Sequence, residues 1–214
     1  MPFSGYASFA SYTRARYRTL ILSAFCMACA LLAFAPAVAA QDVDTSSTTR
    51  LNSVMTIIRA RDPRGAADLA TSYAAEPRSE IRAWLVRGAA ALDPVAGAAL
   101  AKTALSDPQP VVRLAAAGAL AQARGAASVP DLIAALAGES NGGVRSEIVF
   151  RLGSFKIAAA RAALAQALAG DPDPNVRAQA ARSLQRHGTP AARSALKSAK
   201  GDIDPRVRSI ANEP

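Results

Sequence analysis

One dipeptide recurs along this chain at an almost constant interval. Five copies of a β-branched aliphatic residue followed by arginine share one register, and their arginines are 31, 32, 32 and 31 residues apart. An acidic residue lies six positions before each arginine. The ten positions are Glu76 and Arg82, Asp107 and Arg113, Glu139 and Arg145, Asp171 and Arg177, and Asp202 and Arg208. This period indicates an array of structural units that stack into one continuous core, because a single unit is too small to bury its own apolar face.

The apolar residues within one unit predict two helices. If the arginine is position 0, positions −1, +3 and +7 are apolar, as Val176, Ala180 and Leu184 are, and this spacing places them on one helical face. Apolar residues at −13 and −9, such as Leu164 and Leu168, mark a preceding helix. Turn residues, often prolines, separate the two helices. The predicted helices are a lone helix at about 47–59 and then pairs at 64–75 and 79–91, 94–105 and 109–123, 129–138 and 143–154, 158–169 and 174–187, and 190–200 and 205–212.

Composition points to the same all-α fold class. Alanine provides 53 of the 214 residues, and it has the highest helix propensity and is depleted in strands, which excludes β-sandwiches and barrels. One histidine and two cysteines are too few for a disulfide scaffold or a His/Cys zinc site. The chain also lacks nucleotide-binding glycine motifs, Gly-x-Ser-x-Gly and His-Glu-x-x-His. We therefore expect no catalytic residues, no metal and no cofactor, and we expect His187 to interact with a helix C-terminal dipole.

Residues 1–40 have the features of a secretory signal peptide. Arg14, Arg16 and Arg18 form a basic segment, and residues 20–34 are an uncharged apolar run. Small residues follow at the positions that signal peptidase requires.

The leader predicts where the mature chain begins. We expect cleavage near Ala39 or Ala40, a polar linker at 41–46, a repeat domain at 47–214 and a periplasmic or secreted protein. Cleavage removes both cysteines and lowers the formal net charge from +9 to +6. The alternative is an uncleaved leader that tethers the repeats to a membrane, since residues 20–40 carry no charge and are long enough to span a bilayer.

The turn motif resembles that of a known repeat family. Residues 171–177, Asp-Pro-Asp-Pro-Asn-Val-Arg, and the alanine-rich helix after them resemble HEAT repeats, specifically the short kind also seen in phycobilisome lyases. The resemblance covers about 62–212 and departs at 139–143, which read Glu-Ser-Asn-Gly-Gly. It implies an α-solenoid of about five helix pairs in which the second helix of each unit lines the concave face. It also implies that the recurring acids and arginines form a ladder between neighbouring units.

The ten recurring positions and the variable positions suggest different roles. We expect the acids and arginines to bond turn carbonyls and each other, because positions that repeat serve the repeat. Arg50 lies 32 residues before Arg82, so the lone first helix is expected to be a degenerate unit. On the second helices, positions +1, +2 and +5 are expected to point away from the core. The candidate partner-binding residues there, with two neighbours, are Trp84, Arg87, Phe150, Arg151, Arg182 and Arg186.

These candidates suggest a binding function. Aromatic residues beside arginines suit an acidic or extended protein or peptide partner. The alternative is that Trp84 packs on the preceding helix and Phe150 folds into the next groove. We interpret the chain as an exported, non-enzymatic binding or scaffold module that contacts no nucleic acid, and contacts a membrane only if the leader is retained. The other interpretation is a HEAT-like enzyme, either a chromophore lyase or a DNA glycosylase that uses Trp84 and the arginines, although export disfavours the glycosylase.

Overall fold

The computed structural model of the protein describes residues 45–213, with side chains from residue 48 onward. The predicted signal peptide at 1–40 and residues 41–44 of the predicted linker lie outside the described residues. The α-helices, in chain order, are α1 (Thr45–Ala60), α2 (Gly65–Ala75), α3 (Ser79–Leu92), α4 (Pro94–Ala104), α5 (Pro110–Arg124), α6 (Val129–Gly138), α7 (Gly142–Leu152), α8 (Ala158–Gly170), α9 (Pro174–His187), α10 (Pro190–Ser198) and α11 (Pro205–Asn212). Short 3₁₀ helices follow α5 at Gly125–Ser128 and α10 at Ala199–Gly201.

The predicted all-α solenoid is confirmed. Helices α2 to α11 form five pairs, and each helix begins and ends within two residues of its predicted bounds. The second helices of the pairs are α3, α5, α7, α9 and α11, and each packs against the second helix of the next pair. The first helices α2, α4, α6, α8 and α10 pack against this layer. Helix α1 precedes the first pair and begins at Thr45, two residues earlier than expected.

Side chains in the turns cap five of the α-helices within residues 45–213. Asp93, Asn141, Asp173, Thr189 and Asp204 each accept a hydrogen bond from a backbone N–H in the first turn of the next helix. These N–H groups have no helical carbonyl to reach, so the cap supplies the missing acceptor. Proline occupies the first turn of α4, α5, α6, α9, α10 and α11, where its missing N–H costs no helical hydrogen bond.

The core runs continuously through the array. The predicted apolar positions −1, +3 and +7 of α7 hold Val144, Ile148 and Leu152, which are at most 1% exposed. The first helices contribute fully buried leucines, such as Leu132 and Leu164. Many of the other core side chains are alanines, which allow close helix approach but bury little apolar surface each. The stability of the array therefore depends on many small contacts repeated along its length.

One part of the predicted exposure pattern is wrong. Position +1 of the second helices was expected to face solvent, but Ala83 and Ala178 are 3% and 4% exposed. Ala115, at position +2 of α5, is only 2% exposed. Each second helix packs against a neighbouring second helix as well as against the first helices, and this additional contact buries residues that would be open on a helix packed on one side only. The exposed part of a second helix is therefore a narrower stripe at positions −2, +5 and +9, and position +2 is exposed only on α3, where it holds Trp84.

No helix within residues 45–213 is both long enough and apolar enough to cross a membrane.

Candidate partner-binding face

The recurring arginines and acids form a ladder along one edge of the array. In the rung at Arg113, Nε and Nη2 donate to the two carboxylate oxygens of Glu139 at 2.6 and 2.8 Å. The Nη1 group of the same arginine donates to the carbonyls of Asp107 and Pro108 in its own turn, at 2.9 and 3.0 Å. The other bidentate rungs are Arg82 with Asp107, Arg145 with Asp171 and Arg177 with Asp202. Each arginine thus joins its own turn to the acid of the next unit.

The acids have a second role inside their own turns. Each of the five accepts a hydrogen bond from the backbone N–H two residues further on, as Asp107 does from Gln109 at 2.9 Å. One carboxylate therefore shapes a turn and receives the arginine of the preceding unit. This double use explains why the acid recurs at a fixed position in every unit. An acid at another position would lose both the hydrogen bond inside its turn and the ion pair with the preceding unit's arginine.

The most elaborate rung is centred on Asp107. Tyr73 donates its hydroxyl to Oδ2 of Asp107 at 2.6 Å, beside the bidentate contact from Arg82. Burial alone raises the pKa of Asp107, but the hydrogen bonds from Arg82, Tyr73 and Gln109 outweigh it and lower the pKa to about 2. Burial, followed by the hydrogen bond to Asp107, raises the pKa of Tyr73 to about 12. The carboxylate is therefore held in its charged form.

The two ends of the ladder differ from its middle. Arg50 of α1 contacts Glu76 through a 3.5 Å ion pair and occupies the place that a preceding unit's arginine takes elsewhere. At the other end, Arg208 donates to the carbonyls of Asp202 and Ile203. Among residues 45–213, no carboxylate pairs with Arg208. The ladder is thus continuous from α1 to the turn before α11.

The exposed stripe of the second helices holds five of the six candidate binding residues. We call this stripe, together with Arg151 at its edge, the second-helix face. On α3, Trp84 is 43% exposed, and the guanidinium carbon of Arg87 lies 5.9 Å from the centre of its indole ring. This arrangement is a cation–π pair in which the aromatic ring remains open to solvent.

A larger cluster surrounds Phe150 on α7, whose ring is 42% exposed. The guanidinium carbons of Arg151 and of Arg186, which comes from α9, lie 5.3 and 6.0 Å from the ring centre. Glu147 accepts from Nε of Arg151 at 2.6 Å, and Ser183 accepts from Nη2 of Arg186 at 3.1 Å. Neither aromatic residue is buried in a groove, so both rings present apolar surface to solvent.

The structure brings some candidates together and leaves others apart. Phe150, Arg151 and Arg186 form one cluster, whereas Trp84 and Arg87 form a separate pair on α3. Arg182 is exposed on α9, four residues before Arg186.

Sequence reasoning did not identify the residues that hold the arginines. The Glu147 carboxylate could have been found from its four-residue spacing to Arg151 on one helix. Ser183 accepts from Arg186 of its own helix, but this hydrogen bond could not be predicted because it depends on how α9 packs. Gly118 on α5 leaves room for Arg151, because a Cβ there would lie 3.2 Å from Nη2 of that arginine.

His187 lies in the last turn of α9, before the left-handed Gly188. It is 6% exposed, and its Nε2 lies 3.2 Å from the carbonyl oxygen of Gly153 at the end of α7. Burial lowers the pKa of His187, the hydrogen bond to Gly153 opposes this, and the nearby charges of Arg161, Lys156 and Arg186 lower the pKa further. The interaction with the helix C-terminal dipole stays a prediction. Within residues 45–213, no three His, Cys, Asp or Glu side chains are grouped so that they could hold a metal ion.

Comparison with known proteins identifies the repeat. The family model described as HEAT repeats matches residues 67–150 and again 129–213. The chain belongs to the HEAT-repeat family. No curated protein matches it. Among solved structures, YibA of Escherichia coli is 17% identical with a TM-score of 0.57, and the match covers 83% of this HEAT-repeat chain and 75% of YibA. Human deoxyhypusine hydroxylase, solved with glycerol, is 20% identical with a TM-score of 0.42, and the match covers 79% of each chain.

Proposed function

We propose that this HEAT-repeat protein is an exported, non-enzymatic binding or scaffold module whose second-helix face recognises a protein or peptide partner. The observation that carries the proposal is the division of arginines in the structure. Those at repeating positions are used inside the array, whereas Arg87, Arg182 and Arg186 are exposed and make no ion pair within residues 45–213. In HEAT solenoids the second helices line the concave side, which is where an elongated partner fits.

The chemistry of the face supports a macromolecular partner. Trp and Arg are the residues most enriched among binding hot spots, and hot spots lie within a surrounding of weaker contacts. The face offers two exposed aromatic rings on α3 and α7, with the second helix α5 between them. Because helix axes pack ~8–10 Å apart, rings two units apart are ~20 Å apart. Such a span suits an extended segment or a helix better than a small molecule, which needs an enclosed pocket.

Export is the second part of the proposal. It rests on the basic segment, apolar run and small residues of 1–40. The mass of the protein purified from an envelope or culture fraction tests it, with the expected chain starting at Ala40 or Gln41. A full-length chain that begins at Met1 and sediments with membranes would favour the tethered alternative.

The binding function is tested by recovery of the partner with cross-linking in the native host. The variants Trp84→Ala and Phe150→Ala are compared with Val95→Ala and Ile203→Ala, which remove side chains that are 81% and 88% exposed elsewhere on the surface. We expect the two aromatic variants to lose the partner that the wild type and the controls retain. Equal recovery by all four variants would reject the second-helix face as the binding surface.

A further inference from the structure

Phe150 lies between two arginines that approach it from different sides. Arg151 is directed towards α5, because its Nη2 lies beside Gly118 of that helix. Arg186 comes from α9 on the other side of α7, and its Nη2 lies near Gly153. The two guanidinium carbons are 5.3 and 6.0 Å from the ring centre. The apolar ring of Phe150 is thus flanked by two positive charges, one on each side along the direction in which the second helices stack.

Both guanidinium groups are held in place and still have unused donors. Glu147 accepts one hydrogen bond from Arg151, and Ser183 accepts one from Arg186. A guanidinium has five N–H donors, so most donors of each group make no hydrogen bond within residues 45–213. A side chain that is already held loses less conformational entropy when it binds a ligand. The arrangement therefore favours capture of two anionic groups, one on each side of the ring.

The arginines around this cluster outnumber the acids. Arg182 lies one helical turn before Arg186 on the same exposed stripe, and Glu147, the acid in contact with the cluster, is already used by Arg151. The pair at Trp84 differs, because Glu80 lies one turn before the indole on the same stripe of α3. Positive charge on the second-helix face is therefore concentrated at α7 and α9, and this end of the face is complementary to an acidic segment.

We propose that Phe150, Arg151 and Arg186 form a recognition site for an extended acidic peptide segment with the pattern acid–x–apolar–x–acid. This inference rests on the proposed function and names the class of partner segment. In an extended chain, alternate side chains point to the same side and lie ~7 Å apart. An apolar side chain on Phe150 therefore places an acid two residues away on each side, at a separation close to the 5.3 and 6.0 Å between the ring centre and the two guanidinium carbons.

The test uses fluorescein-labelled synthetic peptides and the protein purified from cells that express the full chain. The probe is Gly-Ser-Glu-Ser-Leu-Ser-Glu-Ser-Gly, with one twin in which both Glu are Gln and another in which Leu is Ala. We expect the acidic probe to bind, and both twins to bind about tenfold more weakly or worse. We also expect affinity for the probe to fall as salt rises, because the charges involved are close to solvent.

Variants locate the site. Arg186→Glu and Arg151→Gln are each expected to weaken the acidic probe by about tenfold or more, while Arg193→Glu, at an exposed arginine of α10, leaves it unchanged. Because Arg151 contacts Glu147, the melting temperature of each variant is measured, and Arg186→Glu, at an exposed position, decides the result if Arg151→Gln melts early.

Three results would overturn the inference. They are equal binding of the acidic probe and its Gln twin, no binding of the probe at millimolar concentration, and unchanged binding by Arg186→Glu. These outcomes are separate from failure of the proposed function. Suppose that Phe150→Ala loses the natural partner but the wild type binds the acidic probe and its Gln twin equally. The protein then binds its partner through this face without recognising acidic residues. A partner that is indifferent to every variant of the face refutes the proposed function itself.

Discussion

The ladder and the second-helix face hold the same amino acid in different environments. In the ladder, the arginine side chains are 9–15% exposed, and each bridges two units through a bidentate contact. On the second-helix face, Arg87, Arg182 and Arg186 are exposed, and Arg151 is 38% exposed with one acid at its Nε. The difference follows the repeat, because each of the first four recurring arginines meets an equivalent acid in the next unit. Arg87, Arg182 and Arg186 do not recur, and they make no ion pair within residues 45–213.

The largest effect is expected from the core beneath the ladder. Val144 and Val176 precede ladder arginines directly and are 1% and 0% exposed. Val144→Asp or Val176→Asp buries a charge among apolar side chains, so we expect the free energy of unfolding to fall by several kcal/mol. The matched control is Val95→Asp, at a valine that is 81% exposed. If chemical denaturation shows the same stability for the buried variants and this control, the −1 positions do not anchor the ladder.

The next effect concerns the rungs themselves. Arg113→Gln and Arg177→Gln leave the carboxylates of Glu139 and Asp202 without their bidentate partners. Removal of one member of a buried ion pair costs about 3 kcal/mol or more, since the remaining charge is uncompensated. The free energy of unfolding measures this cost, and Arg182→Gln on the second-helix face should change it by less than ~0.5 kcal/mol.

A double variant sharpens the comparison of rungs. Arg113→Gln combined with Glu139→Gln removes both charges, so we expect it to be more stable than Arg113→Gln alone. A double variant that is less stable than the single variant would mean that the role of Glu139 in its own turn, where it accepts from the Asn141 N–H, outweighs its role in the rung.

Acid should weaken the ladder in a defined pH window. The pKa of Asp107 is about 2 in the folded protein against an ordinary value of 3.8. A carboxyl with a lowered pKa in the folded state contributes its stability above the unfolded pKa and loses it as pH falls through the folded value. Melting temperatures should therefore fall as pH decreases from 3.8 towards 2, and more steeply in the wild type than in Asp107→Asn. Parallel curves for the two proteins would show that this rung does not contribute to acid sensitivity.

The smallest effect on stability is expected from the aromatic residues of the second-helix face. Trp84 and Phe150 are 43% and 42% exposed, so their replacement by alanine should leave the melting temperature close to that of the wild type. Partner affinity should fall by about 2 kcal/mol, as it does for central hot-spot aromatics. If these variants melt early while Arg113→Gln and Arg177→Gln lose only binding, the roles of the two regions are reversed.

Most of the fold could be predicted because one unit is repeated. An apolar pattern that is ambiguous in one unit becomes clear when it occurs in five copies. Even the divergent turn at 139–143 still joins two helices of the array. In that turn Glu139 accepts both the arginine and the Asn141 N–H, and the Asn141 side chain caps α7. Asn141 thus performs the capping role that Asp173 performs before α9. The residue types differ, and Asn141 accepts from the N–H three residues on while Asp173 accepts from the N–H two residues on, but both side chains cap the first turn of the next helix.

The remaining features depend on distances between helices, which a single sequence does not encode locally. The burial of Ala83, Ala115 and Ala178 follows from contact between second helices. His187 is buried because the end of α9 packs on the Gly153 carbonyl of α7, 34 residues away. The Phe150 cluster likewise needs Arg186 from the next unit. The candidate residues were visible in the sequence, but the way they divide into a pair and a cluster was not.

The spacing of the rungs also has a consequence for how the chain folds. Each bidentate rung joins an arginine to a carboxylate 25 or 26 residues later in the chain. Tertiary pairs at such short separation give a low contact order and favour fast folding. During synthesis, a rung can close as soon as the following turn has left the ribosome, without waiting for distant segments. Additional units therefore lengthen the array in step with translation and add no slow search between its ends.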